Sequence, residues 1–311
     1  MSRLMALVVV GSIAFDAVKT PFGARERMLG GSAVYFSLAA SFFTETRVVG
    51  PVGDDFGEAE YEVLSAAGVN TEDVEHVTGK TFFWAGEYGW DLNTRQTLET
   101  RLGVFADFEP KLSEASREAE MLFLANIQPE LQRRVRVLCD GARLVGLDSM
   151  NLWIETARDA LAQAIAEVDL VFMNDAELRQ LTGRPNLVRA ARAVMEMGPR
   201  VVVAKQGEYG AALFSGDGFF ALPAYPLEDV LDPTGAGDCF AGGFLGYLAA
   251  QAPGAAEDEA ELRRAMTYGS VLGSFCVEDF GTERVQRLTR EEIDERFADF
   301  RRITSFEVIP T

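Results

Sequence analysis

The chain has 311 residues, and its 29 basic and 48 acidic side chains give a formal net charge of −19 at pH 7. With 48% apolar and 25% charged residues, the composition is typical of a folded globular protein and excludes a disordered chain. Such acidity argues against nucleic acid or an anionic membrane as the main partner, because both are polyanions that the chain would repel.

Cysteine and histidine are too sparse for several classes of site. Cys139, Cys239 and Cys276 form no CxxC pair, which argues against a disulfide framework or structural zinc and predicts a cytoplasmic protein. His76 is the only histidine, which excludes a Ser-His-Asp triad, and we expect it to be exposed and idle. The apolar runs are shorter than the roughly 20 residues needed to cross a bilayer.

Short β-branched runs alternate with longer amphipathic segments along the chain. The pattern predicts strands at 6–10, 46–49, 121–124, 143–147, 170–173 and 200–204, and helices at 32–43, 57–67, 130–139, 153–167, 175–182, 187–197, 236–250 and 259–275. Strands that alternate with helices favour βαβ units, and therefore a mostly parallel sheet covered by helices on both faces.

The segment 80–105 interrupts this alternation. Thr81-Phe82-Phe83-Trp84 and Thr97-Leu98-Glu99-Thr100 have the pattern of strands, and Asp91-Leu92-Asn93 has the composition of a turn between them. An antiparallel hairpin inserted in a parallel α/β protein is typical of a lid or a subunit contact.

The most informative segment is Asp232-Pro233-Thr234-Gly235-Ala236-Gly237-Asp238, which precedes a long apolar helix. The small residues at 235–237 let main-chain N–H groups converge at the helix start, where the helix dipole favours an anion. A carboxylate at Asp238 beside that anion is costly unless it accepts a proton from an attacking hydroxyl. The alternative is an ordinary capping turn in which Asp238 complements the dipole.

Two other nucleotide motifs are excluded. Gly79-Lys80-Thr81 resembles the end of a P-loop, but Val74 stands where the first glycine of that motif is required. Gly235-Ala236-Gly237 fails as a dinucleotide fingerprint because Phe240 occupies the third glycine position, which weakens an oxidoreductase assignment.

The string 232–243 resembles the second signature of the ribokinase-like (PfkB) carbohydrate and nucleoside kinase family. Further stretches resemble that family in the same order, from about residue 7 to 285: Gly11-Ser12 with Asp16, Gly30-Gly31-Ser32-Ala33, 49–57, Asn174-Asp175-Ala176-Glu177 and 205–210. The resemblance implies an α/β ribokinase-like three-layer αβα sandwich with a mostly parallel central sheet and a small β-sheet lid. It implies a single kinase domain over 1–311, with the lid built from about 12–30 and 80–106.

By this resemblance Asp238 is the catalytic base of an ATP- and Mg²⁺-dependent kinase. The N–H groups of Gly235, Ala236 and Gly237 would stabilise charge on the transferring group. Asn174 and Glu177 would serve the phosphates and Mg²⁺, with Glu177 acting through water. From the residues alone, Asn174 and Glu177 equally fit a helix capping box.

The remaining site candidates surround this centre. Lys205, Gly207 and Thr234 are expected on the ATP side, although Lys205 could instead be an exposed strand-end residue. Asp232 and Thr234 could line a loop for a monovalent cation, and turn chemistry explains them equally well. The substrate-side candidates are Asp16, Gly30, Gly31, and Asn126 and Asp148 at strand ends where parallel sheets bind ligands.

The acceptor is the open question. Ser32-Ala33-Val34-Tyr35 replaces the Lys-Gly-Ala-Asn of ribokinase, which argues against ribose. We expect phosphorylation of a hydroxymethyl group on a neutral sugar or sugar-like molecule. The alternative is a nucleoside kinase, because aromatic side chains that could stack on a base, or simply pack in the core and lid, are Tyr35, Phe36, Phe83, Trp84, Tyr88 and Trp90.

Two further expectations concern activity and assembly. A catalytically silent sugar- or nucleotide-binding regulator on the same fold is the non-enzyme alternative, and the intact Asp238 argues against it. The aromatic residues of the 80–105 hairpin predict a homodimer that forms through the lid.

Overall fold

The computed structural model describes residues 5–216 and 218–305. Its strands are β1 Leu7–Val10, β2 Ala14–Thr20, β3 Gly23–Gly30, β4 Thr46–Val52, β5 Val74–His76, β6 Phe82–Tyr88, β7 Arg95–Arg101, β8 Met121–Leu124, β9 Leu144–Asp148, β10 Leu170–Asn174, β11 Val201–Lys205, β12 Ala211–Ser215 and β13 Gly218–Leu222. Its helices are α1 Ser32–Ala40, α2 Glu58–Ala66, α3 Glu114–Arg117, α4 Pro129–Leu138, α5 Asn151–Thr156, α6 Arg158–Ile165, α7 Asp175–Thr182, α8 Leu187–Met195, α9 Ala236–Ala249, α10 Glu259–Cys276, α11 Glu283–Gln286 and α12 Arg290–Thr304.

A nine-stranded sheet with the order β13-β12-β11-β10-β9-β8-β1-β4-β5 forms the centre of the protein. The strands from β11 to β5 run parallel, and the hairpin of β12 and β13 adds an antiparallel edge. Successive residues of β1 enter opposite cores, with Val9 packing on the face of α1 and α9 and Val10 on the face of α4 and α6. The mostly parallel sheet covered on both faces that the alternation predicts, and the three-layer αβα sandwich that the family resemblance implies, are confirmed.

A second sheet with the order β3-β2-β6-β7 forms the predicted lid. It is built from Ala14–Gly30 and Phe82–Arg101, and its β6–β7 hairpin turns at Asp91-Leu92-Asn93 as the sequence indicates. One face packs Val18, Met28 and Tyr88 against Phe280 of the main body. The lid face that bears these residues is therefore the one that is directed at the C-terminal edge of the large sheet.

One predicted helix is wrong. The segment 153–167 contains two helices, α5 and α6, because Ala157 between them has the non-helical φ of −142° and ψ of 36°. The break carries no proline or glycine, so composition gives no warning of it. The hairpin of β12 and β13 was missing from the prediction, although Gly216-Asp217-Gly218 between two apolar runs is a hairpin signal.

Within residues 5–216 and 218–305, helices are too short or too polar to cross a bilayer.

Close packing between α1 and α9 fixes the start of α9. Both helices are buried almost all round, which requires small residues where their backbones meet. At Gly242 a Cβ atom would lie 2.4 Å from the carbonyl oxygen of Phe36 and 2.9 Å from the Cβ of Ala39. The glycine therefore sets the separation of the two helices.

Replacing Gly242 by alanine is expected to lower the free energy of unfolding by about 1–3 kcal/mol, because the added methyl group forces the α1 backbone away. The matched control is Gly141→Ala, since a Cβ atom at Gly141 meets nothing within 4 Å. We expect the control to change stability by no more than about 0.5 kcal/mol. Urea unfolding of the two variants measures both values, and equal midpoints would contradict the packing argument.

Candidate active site

Polar side chains end three neighbouring parallel strands of the large sheet. Asp148 is the last residue of β9, Asn174 of β10 and Lys205 of β11. The Nζ of Lys205 lies 2.6 Å from Oδ2 of Asp148, and the other carboxylate oxygen accepts the N–H of Ser149 at 2.7 Å. The side chain of Lys205 is 19% exposed and ion-paired at the sheet edge, so it does not reach into solvent as the alternative of an exposed strand-end lysine requires.

The turn before α9 approaches this edge. Gly235 caps α9 with a φ of 77°, and a Cβ there would lie 2.3 Å from the ring of Tyr35. A Cβ at Gly237 would lie 2.9 Å from Nζ of Lys205, so that ammonium group reaches the first turn of the helix. The N–H of Ala236 is directed at the carbonyl of Pro233 at 3.3 Å.

Asp238 follows in the first helical turn, where it complements the positive end of the helix. Burial raises the pKa of its carboxyl from the ordinary 3.8 to about 8; the charge of Asp148 raises it further and that of Lys205 opposes the shift. A carboxyl group with a pKa near the working pH is suited to proton transfer. Asp238 thus lies at the helix start, as the sequence indicates, and a main-chain anion site beside it stays a prediction.

Asn174 and Glu177 form a capping box at the start of α7. The N–H of Asn174 donates to Oε2 of Glu177 at 2.8 Å, and the N–H of Glu177 donates to Oδ1 of Asn174 at 2.8 Å. Burial raises the pKa of Glu177 to about 7, the charge of Asp148 adds to this, and Lys205 opposes it. The capping alternative therefore describes the geometry. Among the described residues Oε1 of Glu177 has no hydrogen-bond partner, which leaves it for another ligand.

The acceptor candidates lie where β2 and β3 meet α1. Asp16 is buried on the lid, opposite Met28 and Trp84, and a Cβ at Gly30 would lie 2.0 Å from its Oδ2. Burial raises the pKa of Asp16 to about 7, and the N–H of Gly31 opposes that shift. The glycine at 30 therefore makes the space that the Asp16 carboxyl occupies.

Two other predicted residues are engaged elsewhere. Oδ1 of Asn126 accepts the indole N–H of Trp153 at 2.9 Å, which ties this side chain to α5 and not to Asp238. Asp232 is fully buried, and its two oxygens accept the N–H groups of Thr234 at 2.9 Å and Gly281 at 3.0 Å. Asp232 thus braces the loop before α9, as turn chemistry alone predicts.

Thr234 connects that loop to the lid, because its hydroxyl donates to the phenol oxygen of Tyr88 at 3.2 Å. Next to it lies a cavity of about 690 Å³ between the lid turn, the large sheet and α10. Three of the site residues predicted from the sequence line this cavity: Lys205, Gly207 and Gly237. Lining residues that the sequence reasoning missed are Asp91, Leu92, Asn93, the connector 223–227, Ser270, Gly273 and Val277, none of which belongs to a recognisable motif.

The six aromatic residues divide by location. Tyr35 and Phe36 lie in the core, and Trp90 is 86% exposed. Phe83 is on the lid face remote from Asp16, where the guanidinium of Arg101 lies 4.2 Å from its ring centroid. This leaves two aromatic side chains on the face of Asp16, which are Trp84 and Tyr88.

Comparisons with known proteins identify the family. A model of the pfkB family carbohydrate kinases matches residues 7–287. The chain belongs to this family. As a PfkB kinase the protein is a phosphotransferase of an ATP-using kinase family.

Individual relatives of this PfkB kinase include nucleoside enzymes. It is 31% identical to the cytidine kinase of Thermococcus kodakarensis over 252 residues, which cover 78% of this chain and 89% of the relative. It is 27% identical to a nucleoside kinase of Methanothermobacter thermautotrophicus, with 91% and 93% of the two chains covered. The structure of Arabidopsis thaliana ribokinase with ribose and ATP superimposes with a TM-score of 0.77 at 21% identity, over 95% of this chain and 99% of the other.

The raised pKa of Asp238 predicts a pH dependence of stability. The neutral acid is favoured in the native state, so its contribution to stability is complete below pH 3.8 and is lost as the pH rises toward about 8. Asp238→Asn removes this loss. We therefore expect the difference in melting temperature, Asp238→Asn minus wild type, to be larger at pH 8.5 than at pH 5.

The exposed Asp107 offers the control, Asp107→Asn, whose melting temperature relative to the wild type should not change between these pH values. Differential scanning calorimetry of the ligand-free proteins measures the effect. A difference between Asp238→Asn and wild type that is the same at both pH values would contradict the raised pKa.

Proposed function

We propose that this kinase transfers the γ-phosphoryl group of ATP to a hydroxymethyl group of a nucleoside, with Asp238 as the base. The observation that carries the chemistry is the Asp238 carboxyl in the first turn of α9, beside the glycine turn and the ammonium group of Lys205. The acceptor class follows from the cytidine and nucleoside kinases among the relatives.

In this proposal Asp238 accepts the proton of the acceptor hydroxyl as its oxygen attacks phosphorus. A loose transition state needs placement of the hydroxyl more than a strong base, so the ionised carboxylate of Asp238 suffices. The N–H groups of Gly235 and Gly237 have no backbone partner in the part of the chain described here and would face the transferring group. They supply stabilisation without a basic side chain.

The donor side is assigned to the cavity of about 690 Å³. Lys205 and Gly207 line it, and Thr234 lies beside it on the α9 loop. Asn174 is proposed to orient Glu177 through the capping box. ATP would enter with its phosphates toward Gly237, where the helix dipole and the Lys205 ammonium favour negative charge.

Magnesium fits this arrangement as an ATP-borne ion. In the described residues, side chains do not form a cluster that could cage a metal by themselves, and Mg²⁺ in kinases keeps several waters and uses few carboxylates. The unused Oε1 of Glu177 would hold it through water, and the ion would neutralise phosphate charge. A monovalent cation near Asp232 and Thr234 stays a prediction.

The acceptor would bind between the lid and α1. Asp16, with Gly30 and Gly31 beside it, is proposed to bind sugar hydroxyls. Asp148, which is ion-paired with Lys205, is proposed to lie at the border of the same site. Trp84 pairs directly with Asp16 across β2 and β6, so a base attached to the sugar would meet an aromatic face. This arrangement and the relatives support the nucleoside alternative better than the neutral sugar first expected from sequence.

Assembly through the lid also stays a prediction. Every residue of β7, the edge strand of the lid sheet, is exposed. An open edge of this kind is a ready surface for pairing with a second chain.

An ATP-consumption panel of cytidine, adenosine, inosine, ribose and fructose tests the assignment. We expect the nucleosides to exceed the free sugars in kcat/KM by about 5- to 150-fold, the equivalent of roughly 1–3 kcal/mol for stacking one base. Trp84→Ala should remove most of that preference, whereas Trp90→Ala, at an exposed position, should keep it. Equal kcat/KM values for cytidine and ribose would contradict the acceptor class, and no ATP consumption with any of them would favour a silent binder.

A further inference from the structure

The guanidinium group of Arg95 lies on the lid face that is directed at the cleft. Arg95, the first residue of β7, is the direct cross-strand partner of Tyr88, and cross-strand partners share a face of the sheet. Its Cζ lies 5.4 Å from the ring centroid of Trp84, on that same face. The Tyr88 phenol contacts Thr234 beside the α9 turn, so Arg95 shares the lid face that is directed at this turn.

The charge of Arg95 is not committed within the protein. Throughout 5–216 and 218–305, no carboxylate lies within 4.0 Å of it, whereas Lys205 is paired with Asp148 and Arg101 of the same strand with Glu99. Burial raises the pKa values of Asp16 and Asp238, and in both cases the positive charge of Arg95 opposes the shift. Its contribution is the smallest of those named in each case, and it indicates that the guanidinium group is within electrostatic range of both carboxyl groups.

The turn that precedes Arg95 is rigidly built. Oδ1 of Asp91 accepts the N–H groups of Asn93 and Thr94, each at 3.1 Å, and its Oδ2 accepts the Thr94 hydroxyl at 3.2 Å. Leu92 has a φ of 56°, which few residues with a side chain adopt. Such a turn fixes the direction in which β7 leaves it.

The same turn contacts the donor side of the molecule. Nδ2 of Asn93 donates to Oε1 of Glu208 at 2.9 Å, across the mouth of the cavity that Lys205 and Gly207 line. The lid tip is therefore anchored to the loop after β11, two residues before Arg95.

A triphosphate that reaches Gly237 meets few full positive charges, because Lys205 is already balanced by Asp148. Charge on a transferring phosphoryl group is spread over its equatorial oxygens and is stabilised by cations placed in advance. We propose that Arg95 contacts the transferring phosphoryl group, and that the Asn93–Glu208 hydrogen bond holds the lid so that it does. The inference rests on the proposed function and adds to it a catalytic residue supplied by the lid.

The test compares Arg95→Met with Arg101→Met in the full chain, using ATP and cytidine, or the acceptor on which the wild type is most active. Arg101 lies on the same strand but faces the opposite side of the lid. We expect Arg95→Met to lower kcat by about 10²–10³-fold, the effect of removing one transition-state donor, with the KM for ATP changed only a few-fold. Arg101→Met should retain wild-type kcat.

Two further measurements separate contact from structure. Guanidinium ion at millimolar concentration should restore part of the kcat of Arg95→Ala, whereas NaCl at the same ionic strength should not. Asn93→Ala should lower kcat when it is introduced into the wild type. In the Arg95→Met variant it should cause little further loss of kcat, because Asn93 acts by positioning Arg95.

The outcomes are distinct. If the wild type consumes ATP and Arg95→Met matches Arg101→Met in kcat, the assignment of Arg95 is wrong and the proposed function stands. If guanidinium ion restores no activity to a folded Arg95→Ala, direct contact is likewise overturned. If the wild type phosphorylates none of the acceptors, the proposed function fails and this inference fails with it.

Discussion

The ammonium group of Lys205 is the charge on which the site depends. Burial acts to lower its pKa, but the charges of Asp148, Glu177 and Asp238 raise it above the ordinary value, so it stays protonated. In return the ammonium group opposes the rise in pKa of each of these acids. Without that one cation, three carboxyl groups would be buried together without compensation, which proteins avoid by protonation or rearrangement.

This balance explains how an acidic protein can take a polyanionic donor. The net charge of −19 belongs to the whole molecule, whereas the cavity proposed for the donor is lined by a glycine turn, a helix start and Lys205. Main-chain N–H groups and a helix dipole attract phosphate without adding basic side chains. In the proposed mechanism Asp238 lies beside the phosphates, and its ionised carboxylate accepts the proton.

The lid brings a second contribution from a distant part of the chain. Tyr88 reaches the α9 loop through Thr234, and Asn93 reaches the loop after β11 through Glu208. One hairpin thus spans the proposed acceptor side and the proposed donor side. A hairpin that touches both sides suits a kinase that must exclude water while the phosphoryl group moves.

Local patterns predicted much of the molecule. The continuous apolar run at Leu7–Val10 predicted a strand buried on both faces. The glycines around residue 236 predicted where α9 begins and that Asp238 lies in its first turn. These features depend on residues close in sequence, where period and turn chemistry are informative.

Features that depend on distant contacts escaped prediction. The break at Ala157 has no local signal, and the position of Arg95 follows from the register of β6 and β7, which shifts between Ala85 and Gly86. The pair Asn174 and Glu177 shows a second reason why sequence falls short. The same three-residue spacing fits both a capping box and a metal contact, and the structure contains the capping box.

Phosphoryl transfer by Asp238→Asn tests the central claim most directly. Asparagine keeps the shape of the side chain but cannot accept the proton, so single-turnover transfer from γ-labelled ATP to cytidine should slow by about 10²–10⁴-fold. The dissociation constant for ATP, measured by calorimetry on the same variant, should change little. Transfer by Asp238→Asn at a rate close to that of the wild type would contradict the account.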